Sequence, residues 1–183
     1  MYALMVVDMQ NDFVKRLTPE TVHALAERIN RLFKFFSSRG LPIYIVLTEH
    51  KPDGSDALQK ARDEGDIPAI RGTPGAQLVS ALAVPSMVHF LSKTKYSAFF
   101  QTEADQLFSN FSGTLVIAGV NTHACIRASA VDACQRDFAV VIPTDCVASY
   151  DEQYHNESLR YLSSRIGRIM SSDELMREIG AEH

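Results

Sequence analysis

The stretch "TLVIAGVNTHACIRASAVDACQRD", residues 114–137, joins an apolar segment to an alanine-rich one. Residues 114–120 are apolar and uninterrupted, which is typical of a strand buried on both faces of a parallel sheet. Residues 123–137 contain several alanines and neither glycine nor proline, so they predict a helix. Cys125 is therefore expected in the first helical turn, at the carboxyl end of a strand, where open α/β sheets form their binding clefts.

The position of Cys125 permits two interpretations. The dipole and the unpaired N–H groups at a helix start favour a thiolate over a thiol, which would make the residue reactive. A free cysteine is also a common small residue of hydrophobic cores. The position alone leaves both interpretations open.

The rest of the chain alternates between strand and helix patterns. Strands are expected at residues 2–9, 41–48, 87–91, 114–119, 139–143 and 167–170, and helices at 18–40, 102–111, 123–137, 151–165 and 171–179. This alternation predicts a single α/β domain over residues 1–183, with three α-β-α layers and right-handed crossovers. The expected sheet is mostly parallel and six-stranded, with the Rossmann-like order 3-2-1-4-5-6. The polar stretch 49–75 is a long connection, and connections of this length are usually functional or mobile.

Composition excludes several classes of protein. With 46% hydrophobic and 22% charged residues, the chain is neither disordered nor membrane-embedded, and its apolar runs are too short to span a bilayer. A net charge of −4 without a cluster of basic residues argues against a nucleic-acid partner. Three cysteines without a secretory leader predict no disulfide framework and a cytoplasmic location. Their spacing matches no zinc motif, so no metal or other cofactor is expected.

Three side chains follow strand ends and could perform nucleophilic chemistry together. Asp8 closes the first strand, which the predicted order places beside the strand before Cys125, and Lys93 follows the third strand. A carboxylate can accept the thiol proton, while a lysine holds that carboxylate ionised and lowers the thiol pKa. The spacing alone leaves Asp12 and Lys95 as competing choices. It also leaves open whether the loop carrying Lys93 folds back over the crevice.

Four segments of the chain resemble the signature blocks of the isochorismatase-like cysteine hydrolases. In chain order they are "VVDMQNDFV" (6–14), "RGTPGAQLV" (71–79), "KTKYSAFF" (93–100) and "GVNTHACIRASAVDACQRDFAVVIPTDCVAS" (119–149). The resemblance covers almost the whole chain. It implies an Asp8, Lys93 and Cys125 triad, which favours Asp8 over Asp12 and Lys93 over Lys95.

The resemblance also implies details around this triad. A non-proline cis peptide is expected between Val120 and Asn121, with backbone N–H groups near Ala124 and Cys125 as oxyanion donors. Members of the family are commonly dimers or tetramers, so a homodimer or homotetramer is expected.

Five residues near the triad are candidates for the substrate pocket, and two histidines invite catalytic interpretations. The pocket candidates are Gln10, Phe13, Tyr96, Phe99 and Thr122. The aromatic ones suggest a small, planar, partly apolar ligand, although ordinary core positions explain them equally well. His123 is expected to face away from the thiol or to line the pocket rim, because two helical residues turn a side chain by roughly 200°. His155 is expected on a helix surface or at a subunit contact.

The resemblance predicts hydrolysis of a C–N bond in a small amide or ureido/carbamoyl substrate through a Cys125 thioester. Nicotinamidase-type members carry an Asp-x-His metal site after strand two, whereas this chain has adjacent Glu49 and His50. Nicotinamidase is therefore the less favoured alternative, and metal binding by Glu49 and His50 stays open. Isochorismate hydrolysis is the alternative, but cleavage of its vinyl ether needs no thiol. Outside catalysis, a small-molecule binding module or a redox sensor stays open, because fold alone does not prove activity.

Overall fold

The computed structural model describes residues 1–181. The strands are β1 (Tyr2–Val7), β2 (Ile43–Thr48), β3 (His89–Lys93), β4 (Thr114–Val120), β5 (Ala139–Pro143), β6 (Val147–Ala148) and β7 (Arg168–Met170). The α-helices are α1 (Asn11–Val14), α2 (Pro19–Ser38), α3 (Gln59–Glu64), α4 (Ala104–Leu107), α5 (Arg127–Cys134), α6 (Glu152–Arg165) and α7 (Ser172–Ala181). Across this described range, every helix is too short or too polar to cross a lipid bilayer.

The strands form one parallel sheet in the order β3-β2-β1-β4-β5-β7. The predicted order is thereby confirmed, but the predicted count of six strands is wrong because β6 is a seventh. β6 pairs with Gly119 and Val120, beyond the part of β4 that pairs with β5. A strand of two residues is too short to show any alternation of apolar and polar positions, so its sequence carries no strand signal.

Helices cover both faces of the sheet, which confirms the three-layer α-β-α architecture. Alternate residues of β1 point to opposite faces and belong to two separate hydrophobic clusters. Helices α2 and α7 bury their apolar residues in one cluster, while α5 and α6 contribute to the other. With both faces covered, the open part of the sheet is its rim, and the carboxyl ends of β1, β2, β3 and β4 lie there side by side.

Helix α2 begins where the sequence places a strong start signal. The Thr18 hydroxyl oxygen accepts a hydrogen bond from the backbone N–H of Thr21 at 3.2 Å, and Pro19 occupies the first helical position. Apolar residues at three- and four-residue steps then bury one face of the helix against the sheet. This packing fixes the layer beneath the carboxyl end of β1.

Strands β1 and β4 approach each other closely just below the predicted site. Gly119 has a φ of +113°, and a Cβ atom there would lie 2.1 Å from the carbonyl oxygen of Val7, so only glycine fits. Asp8, the next residue along β1, has a φ of +53°, which is costly for a residue with a side chain. Such strain concentrates at functional sites, where the surrounding structure holds it in place.

The predicted bounds of the third strand and of the helix at 102–111 are wrong. The third strand is His89–Lys93 rather than 87–91, so Lys93 is the last residue of β3 and pairs in register with Thr48 of β2. No loop therefore has to fold back to carry Lys93 towards the crevice. The helix predicted over 102–111 is only Ala104–Leu107, and the aromatic residues after it pack on the sheet from a turn.

Candidate active site

The side chains of Asp8, Lys93 and Cys125 meet at the carboxyl end of the sheet. The Lys93 ammonium Nζ donates to Asp8 Oδ2 at 2.7 Å and to Cys125 Sγ at 3.4 Å. Asp8 is 0% exposed, Lys93 3% and Cys125 5%. Three segments far apart in sequence therefore bring a carboxylate, an ammonium and a thiol into direct contact.

Oxygen acceptors on three sides fix the Lys93 ammonium beside the sulfur. Besides Asp8, its Nζ donates to the Thr48 hydroxyl at 2.7 Å and to the Lys95 carbonyl at 3.0 Å. The Thr48 hydroxyl donates in turn to Asp8 Oδ1 at 2.9 Å, and the Thr48 backbone N–H reaches the same oxygen at 3.1 Å. Thr48 is not among the residues predicted for the site, although its place at the end of the strand next to β1 is a usable signal.

Gln10 has a structural role rather than the predicted place in the pocket. Its side chain is fully buried, with Oε1 accepting from the Thr48 N–H at 2.9 Å and Nε2 donating to the Thr48 carbonyl at 2.8 Å. Nε2 also donates to the Ala76 carbonyl at 2.7 Å. Gln10 thus clamps the end of β2, and with it the hydroxyl that orients Asp8 and Lys93.

Cys125 lies in a single wide helical turn, Thr122–Ile126, that precedes α5. The expected ordinary first turn of an α-helix is wrong, since this turn has π-helical hydrogen bonding, which occurs frequently at functional sites. The turn packs Cys125 against the apolar side chains of the α5–α6 face.

Burial raises the pKa of the Cys125 thiol well above its ordinary value. The charge of Asp8 raises this pKa further, whereas the Lys93 ammonium lowers it. Burial therefore opposes the thiolate that a helix start favours, and Asp8 is the base beside the thiol.

The ammonium of Lys93 stays charged despite its burial. Burial alone lowers the pKa of Lys93, but the Asp8 carboxylate and the Cys125 side chain outweigh it, so the pKa lies above its ordinary value. This permanent positive charge beside Sγ stabilises the thiolate once the proton has left.

The backbone before Cys125 has the expected cis peptide but lacks one of the expected oxyanion donors. The peptide between Val120 and Asn121 is cis, as expected. The Ala124 N–H, however, already donates to the Asn121 carbonyl at 3.0 Å, so it is not a free oxyanion donor. The Asn121 side chain borders the cavity, and its buried Oδ1 has no hydrogen-bond partner.

A cavity of about 260 Å³ opens over the sulfur and can hold a small molecule. Phe13 and Tyr96 line it, as predicted, but Phe99 and Thr122 do not. Phe99 is 2% exposed and packs among other aromatic rings in the core, and Thr122 is fully buried behind the turn. Residues from the 49–75 segment supply the far wall: His50, Leu58, Ala61, Asp66 and Pro68.

The two histidines near the turn have separate surroundings. His123 lines the cavity, as predicted, where its Nδ1 contacts the Ser149 hydroxyl and its ring packs edge-on against Tyr150. Burial lowers the pKa of His123, so its ring is neutral at pH 7. His155 is not a free surface residue, because its Nδ1 lies 2.9 Å from the Thr122 hydroxyl and so supports the turn that carries Cys125.

Glu49 and His50 point to different partners. Glu49 accepts a hydrogen bond from the Ser92 hydroxyl at 2.6 Å. The Nδ1 of His50 lies 3.4 Å from Asp56 Oδ1 without hydrogen-bond geometry, and burial lowers the pKa of this imidazole. Within residues 1–181, His, Cys, Asp and Glu side chains form no group of three or more that could hold a metal ion.

Comparison with known proteins agrees with this architecture. The profile of the family described as "Isochorismatase domain" matches residues 2–174. A "Probable inactive nicotinamidase" of Arabidopsis thaliana is 33% identical, covering 86% of this chain and 85% of its own length. The "Maleamate amidohydrolase" of Pseudomonas putida is 34% identical, covering 71% of this chain and 61% of its own length.

A solved structure shows the same fold across the whole chain. The crystal structure of an isochorismatase family protein from Desulfovibrio vulgaris has a TM-score of 0.88 and 31% identity, covering 98% of each chain. Its strands and helices therefore superpose on the sheet and layers described above. With its sequence matched over residues 2–174, this chain belongs to the isochorismatase domain family of hydrolases.

Proposed function

We propose that this protein hydrolyses a C–N bond of a small amide or ureido/carbamoyl substrate, with Cys125 as nucleophile, Asp8 as base and Lys93 as the stabilising cation. The observation that carries the proposal is the Lys93 Nζ, 2.7 Å from Asp8 Oδ2 and 3.4 Å from Cys125 Sγ. A nucleophile and a base oriented by a third group are the recurring parts of covalent catalysis. Lys93 and Cys125 line the cavity, and Asp8 is buried behind Lys93.

In the first half of the reaction, Asp8 takes the thiol proton as Sγ attacks the planar carbonyl carbon. The negative charge moves from the sulfur to the carbonyl oxygen, for which we propose the backbone N–H of Cys125 as the hydrogen-bond donor. The C–N bond then breaks, the amine or ammonia leaves with the proton from Asp8, and a thioester forms on Sγ.

In the second half, water replaces the departed amine. Asp8 accepts a proton from this water as its oxygen attacks the thioester carbon. The C–S bond breaks, the acid product leaves, and the sulfur recovers its proton from Asp8. Lys93 stays protonated throughout, so its charge stabilises the thiolate in both halves.

The relatives include both a maleamate amidohydrolase and a probable isochorismatase, so the choice of an amide over a vinyl ether rests on Cys125. One relative above 30% identity is named a maleamate amidohydrolase, and amide cleavage uses the thiol that this chain possesses. Cleavage of isochorismate proceeds by acid–base chemistry alone and would leave Cys125 without a role. A homodimer or homotetramer, a cytoplasmic location and the absence of nucleic-acid partners stay predictions.

Ammonia release from a panel of small amides and ureido acids tests the proposal. We expect turnover of at least one amide or ureido acid by the unmodified protein and none by a Cys125→Ala variant. Nicotinamide and isochorismate belong in the same panel, because one relative is named a probable inactive nicotinamidase and another a probable isochorismatase. Isochorismate cleavage that survives Cys125→Ala, or ligand binding without any ammonia release, would contradict the proposed hydrolysis.

A further inference from the structure

The cavity over Cys125 is basic, although the protein as a whole is acidic. Its lining includes the cationic side chains Lys15, Arg16, Lys93 and Lys95 and the acidic side chains Asp12 and Asp66. The whole chain carries a net charge of −4. Positive charge concentrated in a cleft raises the local concentration of anions and speeds their entry.

Two of the four cations are already neutralised by carboxylates. Lys93 pairs with Asp8 at 2.7 Å inside the triad. Lys15 lies 3.7 Å from Asp12 Oδ1 and 4.0 Å from Asp66 Oδ1 at the mouth of the cavity. The uncompensated charge therefore belongs to the other two cations of the lining.

Lys95 is held in place by neutral acceptors. Its ammonium donates to the backbone carbonyls of Asp56 at 2.7 Å and Ala57 at 3.1 Å. Carbonyls orient the ammonium without cancelling its charge, and that charge contributes to the lowered pKa of His50. Lys95 thus keeps the 49–75 wall of the cavity positive.

Arg16 is the cation best placed to bind an anion directly. Its guanidinium carbon lies 3.5 Å from the centroid of the Tyr150 ring, and both residues line the cavity. Within residues 1–181, no carboxylate lies within ion-pair distance of Arg16. A guanidinium stacked on a ring uses its face, so the N–H groups along its edge stay available for a bidentate carboxylate.

We propose that Arg16 binds a carboxylate of the substrate, with Lys95 adding to the attraction. The preferred substrates are then small amides or ureido compounds that carry a carboxylate away from the scissile carbonyl. This inference rests on the proposed function, since it specifies the substrate class of the same site. The Tyr150 ring keeps the guanidinium over the cavity. It packs edge-on against the His123 ring, with 5.1 Å between the ring centroids.

A matched pair of substrates tests the inference. Succinamate and succinamide differ only in whether the distal group is a carboxylate or a neutral amide. We expect the unmodified protein to prefer succinamate in kcat/KM, and Arg16→Gln to lower kcat/KM for succinamate about tenfold or more. The value for succinamide should fall much less than the value for succinamate, because succinamide offers Arg16 no carboxylate, and Arg16→Lys should restore part of the preference.

Arg39→Gln is the matched control for this substitution. Arg39 also stacks on a ring, that of Phe35 at 3.8 Å, but lies outside the cavity. The same change of residue and charge there should leave the succinamate preference unchanged. Equal losses of kcat/KM for both substrates in Arg16→Gln, or equal losses in the two arginine variants, would overturn the inference.

Binding of succinate, measured by calorimetry on the Cys125→Ala background, separates this inference from the proposed function. We expect succinate to bind and Arg16→Gln to weaken it about tenfold, whether or not any amide is turned over. Succinate binding that is absent or indifferent to Arg16 overturns the inference even if amides are hydrolysed. A lack of amide hydrolysis with Arg16-dependent succinate binding rejects the proposed function alone.

Discussion

Replacing Cys125 by alanine is expected to lower amide turnover by at least about 10⁴-fold, because the thioester route has no substitute nucleophile. The change removes one sulfur from a residue that is 5% exposed and leaves the hydrogen bonds of Lys93 to Asp8, Thr48 and Lys95 in place. The fold should therefore survive, with an unchanged circular dichroism spectrum and a small shift in Tm. Initial rates of ammonia release at saturating substrate measure the effect.

Cys134→Ala is the matched control for this loss. Cys134 ends α5, two and a half turns beyond Cys125, and lies outside the lining of the cavity. The same substitution there should leave turnover within about twofold of the unmodified protein. Substantial activity in Cys125→Ala, or an equal loss in Cys134→Ala, would contradict a nucleophilic role for Cys125.

Replacing Asp8 by asparagine should affect catalysis and thiol reactivity in opposite directions. Turnover should fall by about 10³-fold or more, because the base that accepts the thiol proton is lost. The rate of Cys125 alkylation by iodoacetamide at a fixed pH near 8 should rise, because the Asp8 charge is one of the groups that raise the pKa of this thiol. Peptide mass spectrometry reports the alkylation of Cys125 separately from that of Cys134.

Lys93→Gln should change the alkylation rate of Cys125 in the opposite direction. The Lys93 ammonium lowers the pKa of Cys125, so its loss should slow alkylation below the rate of the unmodified protein. In the unmodified protein, alkylation should climb steadily as pH rises above neutrality, because burial keeps the thiol protonated. Slower alkylation of Cys125 in Asp8→Asn would be inconsistent with this electrostatic arrangement. So would alkylation of the unmodified protein that is already fast at pH 6 and does not increase at higher pH.

The order of the sheet was predictable because strand and helix patterns alternate along the chain and parallel strands need right-handed crossovers. The seventh strand was not, since its two residues pair only because β4 extends past the end of β5. The start of β3 was misplaced for a related reason. Exposed Met87 looks like strand interior in the sequence, yet β3 is an edge strand and begins at His89.

The candidate triad was only partly derivable from the residues themselves. Strand ends placed Asp8 and Cys125 side by side, because the predicted order makes β1 and β4 neighbours. Lys93 could not be separated from Lys95 by spacing, and the resemblance to a family made that choice. In the structure the difference is local: Lys93 ends the strand facing Asp8, while Lys95 turns to the carbonyls of the 49–75 wall.

The pocket and the state of the thiol depend on long-range packing that a sequence pattern does not contain. Gln10, Phe99 and Thr122 flank the catalytic positions along the chain but are buried outside the cavity, whereas Tyr150 reaches the cavity from a distant segment. A helix start favours a thiolate, but the fold also buries the sulfur, and that burial raises the pKa of the thiol.

The most direct test of the central claim is an acid quench during steady turnover, followed by mass spectrometry of the peptide that contains Cys125. The account predicts a covalent acyl adduct on Cys125 that hydroxylamine removes, as expected for a thioester. Hydrolysis that proceeds at full rate while Cys125 stays unmodified at every quench time, or an adduct on another residue, would contradict it.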